Sequence, residues 1–216
     1  MMAKNSSAAL IGSSLTSFYS GMSEQERQDI KDCLLYAELY ASEKFDRQQL
    51  WTSWMNRYQR GLLKLGFTLT GFIVENPIQI ESARDFERVT FDAMSKVGSA
   101  HLVELAHTSF SAMKNSEHAK VFLDSWFSTG RSESFQVVPC ENLPSGELQV
   151  LVCGLNMTSR TVVEGPFFWN SISSEMTVRI NGGSFAFNST AYAEHRARVR
   201  TELGDQAKRY ITEIEL

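Results

Sequence analysis

The chain's charges are divided unevenly along its length. No aspartate occurs between Asp124 and Asp205, and no lysine between Lys120 and Lys208. From Thr129 to Asn188 there are three arginines and five glutamates, with Val, Thr, Phe and Ser filling the space. From Met22 to Ser128 charges are about twice as dense and alternate with Leu, Ala, Gln and Met. The charge-poor composition favours strands, because β-branched and aromatic side chains suit a pleated surface. The charged one favours helices. The division therefore predicts an α+β chain: about five helices in residues 22–130, an antiparallel β-meander in 131–189, and a closing helix over 190–214. No Pro, Gly or Ser-rich linker separates the parts, so residues 22–216 read as one domain, with helices expected on one face of the sheet. The Ser-rich residues 1–21 read as a flexible N-terminal arm.

Local punctuation refines this. Ser23-Glu24-Gln25-Glu26 is a capping box, in which the serine oxygen accepts an orphan amide and the glutamate reaches back. Ile30, Cys33, Leu34, Ala37 and Ala41 then recur at helical spacing. A second stripe runs through Leu50, Trp54, Met55, Tyr58 and Leu62 and ends at Gly66. Residues 67–74 are apolar and fit either a strand or a continued helix. Ser82, Ser99 and Ser116 each open a further helix. In the second half, Leu143-Pro-Ser-Gly146 forms a turn. The strand that follows, residues 147–156, is apolar on both faces and reads as central. Asn181-Gly182-Gly183 suits a tight hairpin, because Asn and Gly tolerate positive φ. Gly204 interrupts the last helix.

Composition limits the function classes. Hydrophobic residues are 43% and charged residues 21%, ordinary for a soluble globular protein. A formal net charge of -4 disfavours a nucleic-acid partner. Nothing near Met1 has the apolar length of a secretory signal, and no run approaches a membrane-spanning helix. With three cysteines, Cys33, Cys140 and Cys153, a disulfide framework is not expected. The default compartment is the cytoplasm, and a chain exported or injected by a non-classical route reads the same way. Cys140 and Cys153 fall on strands that pair, so a bridge between them is the one disulfide to test.

Chemistry-bearing motifs are sparse. His101, Glu104 and His107 fall within one sector of a helix, where two imidazoles and a carboxylate can share a metal ion. Serines lack the Gly-x-Ser-x-Gly elbow of a nucleophile, and no glycine-rich phosphate loop occurs. No cofactor and no small-molecule substrate are therefore expected. Phe167, Phe168 and Trp169 are consecutive, and strand side chains alternate, so they offer an exposed aromatic anchor for a partner. Arg196 and Arg200 share a face of the terminal helix and supply a basic contact. Leu62, Leu63, Phe67 and Phe72 form a second adhesive stretch, suited to a bilayer. Three readings result, in order: a non-enzymatic interaction or self-assembling protein that binds a protein partner or its own copy; a membrane-active effector or pore-forming type of toxin; and a small metal-dependent hydrolase built on His101, Glu104 and His107.

Overall fold

The computed structural model describes residues 6–124, 130–163 and 176–216. The chain opens with β1 (Ser7–Ile11) and β2 (Ser14–Phe18), followed by α1 (Glu24–Ser42), α2 (Trp51–Leu63), β3 (Phe67–Val74) and β4 (Ile78–Ile80). Three helices come next: α3 (Ala83–Ser95), α4 (Ala100–Asn115) and α5 (Glu117–Asp124). The meander is β5 (Gly130–Asn142), β6 (Leu148–Val163) and β7 (Met176–Phe187). The chain closes with α6 (Ser189–Leu203), α7 (Gln206–Tyr210) and β8 (Ile211–Ile214). The fold class is α+β, as the composition predicts. The strands make one sheet in the order β3-β7-β6-β5-β2-β1-β8, with β4 also paired to β7. β5, β6 and β7 form the expected antiparallel meander. The sheet as a whole is mixed, because β2 runs parallel to β5, with Ser14 beside Gln136 and Phe18 beside Cys140.

The helix starts follow the expected chemistry. Ser23 and Glu26 form both bonds of the capping box on α1. Ser82 accepts from the Asp85 amide at α3, and Ser99 from the Leu102 amide at α4. Residues 62–74, ambiguous in periodicity, split: Leu62 and Leu63 end α2, Gly66 turns the chain at φ +87°, and Phe67–Val74 is a strand.

Helices cover both faces of the sheet, not one. On one face Phe86 and Met94 of α3, Phe110 of α4 and Leu123 of α5 pack on Leu15, Phe135, Val137, Leu151 and Ile180. On the other, Leu34 of α1, Trp54 and Tyr58 of α2 and Tyr192 of α6 pack on Phe18, Val138, Val150, Phe185 and Phe187. The physical reason lies in the strands: β5 and β6 are apolar at both parities, so neither face can be left to water. β6 lies between β7 and β5, the central position expected of it.

Three further expectations need correction. The N-terminal arm is not flexible over its described part: residues 7–18 form β1 and β2, and Ala8, Leu10 and Leu15 are fully buried. Asn181-Gly182-Gly183 is not a hairpin but the middle of β7, paired with β6 at Val152, Cys153 and Gly154 and with β3 on the other side. Its glycines answer to space: a Cβ on Gly182 would sit 1.9 Å from the Val152 carbonyl oxygen, and one on Gly183 would sit 2.4 Å from that of Gly71. The closing helix ends at Gly204, at φ +49°, and after α7 the chain returns as β8 to the edge beside β1.

Cys140 and Cys153 do not pair; all three cysteines are free and buried. Cys140 faces the α1 and α2 layer and Cys153 the α3 and α4 layer, so the sheet separates them. Burial pushes the Cys153 thiol up to about 12, which keeps it protonated and unreactive.

Because the Gly182 contact is with main chain, which cannot move aside, Gly182→Ala is expected to destabilise the fold by about 3 kcal/mol. Urea unfolding of the variant against the parent chain measures this, and a loss under about 1 kcal/mol would contradict the packing role.

Candidate functional site: a buried clamp and an open sheet edge

Two features are built with unusual care. The first is a polar centre beneath the turn between β1 and β2. Gly12 takes φ +55°, and a Cβ there would lie 2.6 Å from Glu38 Oε2, so the turn passes directly over this carboxylate of α1. The Ser13 N–H donates to both Glu38 oxygens at 3.2 and 3.3 Å. Ser13 Oγ lies 2.8 Å from Glu38 Oε1 and 2.8 Å from Gln136 Oε1 of β5, so its single proton serves one acceptor at a time. Ser14 Oγ donates to the same Gln136 oxygen at 3.1 Å. Arg47, between α1 and α2, reaches Glu38 at 3.5 Å and Glu133 of β5 at 3.8 Å, and Gln48 donates to Glu133 at 2.7 Å.

This cluster joins α1, the first turn, β5 and the segment before α2, but it is sealed. Glu38 is 1% exposed and Ser13 is 0% exposed. The side-chain partners of Ser13 are Glu38 and Gln136, both hydrogen-bond acceptors inside the core, so the arrangement acts as a clamp. Burial raises the Glu38 carboxyl above its usual range, opposed by Arg47 and by the Ser13 bonds. The folded chain therefore holds a proton that the unfolded chain releases, and this group's contribution to stability falls as pH rises from the ordinary carboxylate range toward the raised one. Glu38→Gln removes that titration. The fall of unfolding free energy as pH rises above the ordinary carboxylate range is expected to be shallower in the variant; an unchanged slope would exclude Glu38 as its source.

The second feature is β3, at one end of the sheet. It pairs with β7 from Phe67 beside Phe187 to Val74 beside Asn181. Among the described residues no strand pairs with its other side. A register shift between Leu69 and Gly71 leaves Thr70 as a bulge, whose Oγ1 donates to the Ser184 carbonyl at 3.0 Å. The bulge changes which face each side chain takes. Phe67 joins the α1 and α2 layer, while Ile73 joins the opposite layer. Phe72 and Val74, on the other side of the strand from Ile73, are left 73% and 71% exposed. The Glu75 N–H donates to the Ile180 carbonyl of β7 at 3.2 Å. Inward and outward main-chain groups alternate in an antiparallel ladder, so those of Phe72 and Val74 point outward to the open edge. Gln59 of α2 donates to Asn181, the residue paired with Val74. Leu63, one helical turn beyond Gln59, is 45% exposed. The edge of the sheet and the end of α2 together present apolar surface beside unpaired backbone.

The residues singled out from sequence fare differently. Arg196 and Arg200 do not form a free basic face. Arg196 holds Asp29 of α1 through two bonds of 2.8 and 2.6 Å, and Arg200 Nε donates to Asp32 at 3.0 Å. Asp29 is completely buried and Asp32 nearly so, which makes these arginines the internal tie between α6 and α1. His101, Glu104 and His107 are exposed on α4, but His101 stacks on Tyr19 at 5.8 Å and His107 lies tilted against Phe91 at 5.2 Å. Rise along a helix sets the two histidines about 9 Å apart, and each ring is drawn to its own aromatic neighbour. Among the described residues no three His, Cys, Asp or Glu side chains come together to hold a metal ion. Of the stretch proposed for a bilayer, Leu62 and Phe67 are core, while Leu63 and Phe72 are exposed. No helix among the described residues is long and apolar enough to cross a membrane. Phe167, Phe168 and Trp169 lie outside the described residues.

Sequence reasoning named Phe72 but not Val74, and it missed the Glu38 clamp. The uncharged, β-tolerant run Phe67–Val74 carries the signal for a strand, but which of its side chains are exposed follows from the Thr70 bulge. The clamp has none, because Ser13, Glu38, Arg47 and Gln136 meet only through topology.

No protein-family model matches the chain, and no curated protein matches it in sequence. Among solved structures it is similar to one described as the structure of the Evf virulence factor, at 11% identity and a TM-score of 0.33, over 89% of this chain and 77% of that one. That likeness is too distant to carry a function across.

Since buried Asp29 keeps only the Gln25 side chain and a longer contact to Arg200 when Arg196 is removed, Arg196→Ala is expected to destabilise the fold by about 2 kcal/mol. Chemical unfolding at neutral pH reads this directly; an unaltered midpoint would return Arg196 to the role of a free surface charge.

Proposed function

We propose that this chain is an interaction protein that binds an extended polypeptide segment by strand addition along β3. The observation that supports this reading is the open edge at Phe72 and Val74, where two side chains more than 70% exposed flank outward-pointing main-chain groups. In strand addition the backbone bonds supply affinity and alternate side-chain contacts supply selectivity. Native sheets usually guard such an edge with charge, proline or a very short strand. Residues 67–74 contain neither a charge nor a proline. The opposite edge, β8, is guarded: it is four residues long and carries Glu213. The surface chemistry of β3 matches a partner strand of uncharged, alternating β-branched residues.

The test uses a synthetic peptide of alternating Val and Thr with lysine ends for solubility, added to the full chain. Binding is expected to slow amide exchange at Phe72 and Val74, the two outward-facing groups, and Phe72→Lys is expected to weaken binding about tenfold or more. No binding at about 1 mM peptide, or protection elsewhere only, would overturn the reading.

A further inference from the structure

The edge at β3 has an internal symmetry that points to one partner. Phe72 and Val74 are two residues apart, lie on the same side of the strand, and direct their main-chain groups outward. An antiparallel copy turned about a two-fold axis through Ile73 brings Phe72 opposite Val74 of the other copy, and Val74 opposite its Phe72. Residues directly opposed in such a pair exchange both N–H···O bonds, so both outward-facing residues of each copy are satisfied. Each exposed aromatic then lies against an exposed β-branched side chain, a favourable cross-strand pair. Gly71 falls opposite Glu75 of the other copy. Glu75 is already paired with Lys96, and the segment from Gly71 to Val74 carries no charge, so the pairing sets no like charges against each other.

We infer that the occupant of the β3 edge is a second copy of this chain, paired antiparallel and in register about Ile73. This rests on the strand-addition reading and names its partner. The contact is isologous, since the same patch serves both copies, and it therefore closes at a dimer. The bulge at Thr70 limits its extent: before it the outward groups no longer keep the spacing of the segment after it, so pairing is confined to residues 71–75. A standard interface buries about 800 Å² per partner, whereas Phe72, Val74 and Leu63 together offer only a few hundred. The dimer is therefore a weak one, with a dissociation constant on the order of 0.1–1 mM.

Sedimentation velocity on the full chain from about 10 µM to about 1 mM tests this. The weight-average mass is expected to rise from monomer toward dimer over that range. Phe72→Lys alone and Val74→Glu alone are each expected to weaken association at least tenfold without lowering the melting temperature, as both side chains are exposed. Mixing the two variants is expected to restore it, because the register sets Lys against Glu and leaves the remaining Phe72 against Val74. A chain that stays monomeric throughout, or a dimer indifferent to Phe72→Lys, would overturn self-pairing. Association that is not restored on mixing would overturn the register. A monomer that still binds the Val–Thr peptide removes only the self-pairing; a chain that does neither removes strand addition as well.

Discussion

β2 lies parallel to β5 from Ser14 beside Gln136 to Phe18 beside Cys140. Parallel neighbours need a long crossover, and here it contains α1 to α5 together with β3 and β4. The two helical layers are both set by this joint. α1 and α2 leave the first hairpin on one face of the sheet, and α3, α4 and α5 return across the other. The Glu38 clamp sits at the same joint, tying the Ser13 turn to β5 through Gln136 and to α1 through its carboxylate. Without the pairing of β2 and β5, the meander would end in an open edge at β5 and the first hairpin would have no sheet to join.

The helical layers also have a tie that does not pass through the sheet. Arg196 and Arg200 of α6 reach into α1 at Asp29 and Asp32, and Lys31 of the same helix pairs with Glu213 of β8. α1 thus carries charges on its inner side that the chain's last elements neutralise. Buried acids stay ionised at tolerable cost only when paired, so the docking of α6 is specified by charge as well as by Tyr192, Val199 and Leu203.

Much of the architecture was legible in the sequence. The split in charge located the change from helices to meander, and Ser23, Ser82 and Ser99 marked helix starts that the structure keeps, because caps are local devices. Three features escaped for a common reason. β1 and β2 are rich in Ser and Ala, and their strand character comes from neighbours on both sides. Gly182 and Gly183 look like a turn, since the usual reason for adjacent glycines is backbone conformation; here the reason is the approach of neighbouring main chains. Arg196 and Arg200 look like a surface charge run until Asp29 and Asp32 come opposite them. In each case the deciding partner is far away along the chain. The candidate edge was half legible: Phe72 stood out as apolar, but its exposure depends on the Thr70 bulge, which residue pattern alone does not reveal.

The position of β1 has a bearing on how the chain is made. Ala8 pairs with Ile214 and Leu10 with Thr212, so β1 gains its outer neighbour from a strand far along the chain. Contacts that span so much sequence slow folding, because the closure entropy comes before the reward. During synthesis the first hairpin has β5 available on one side well before β8 exists on the other. Until β8 is made the growing chain therefore carries β1 as an unfinished border, and its uncharged side chains give that border little of its own protection against wrong pairing.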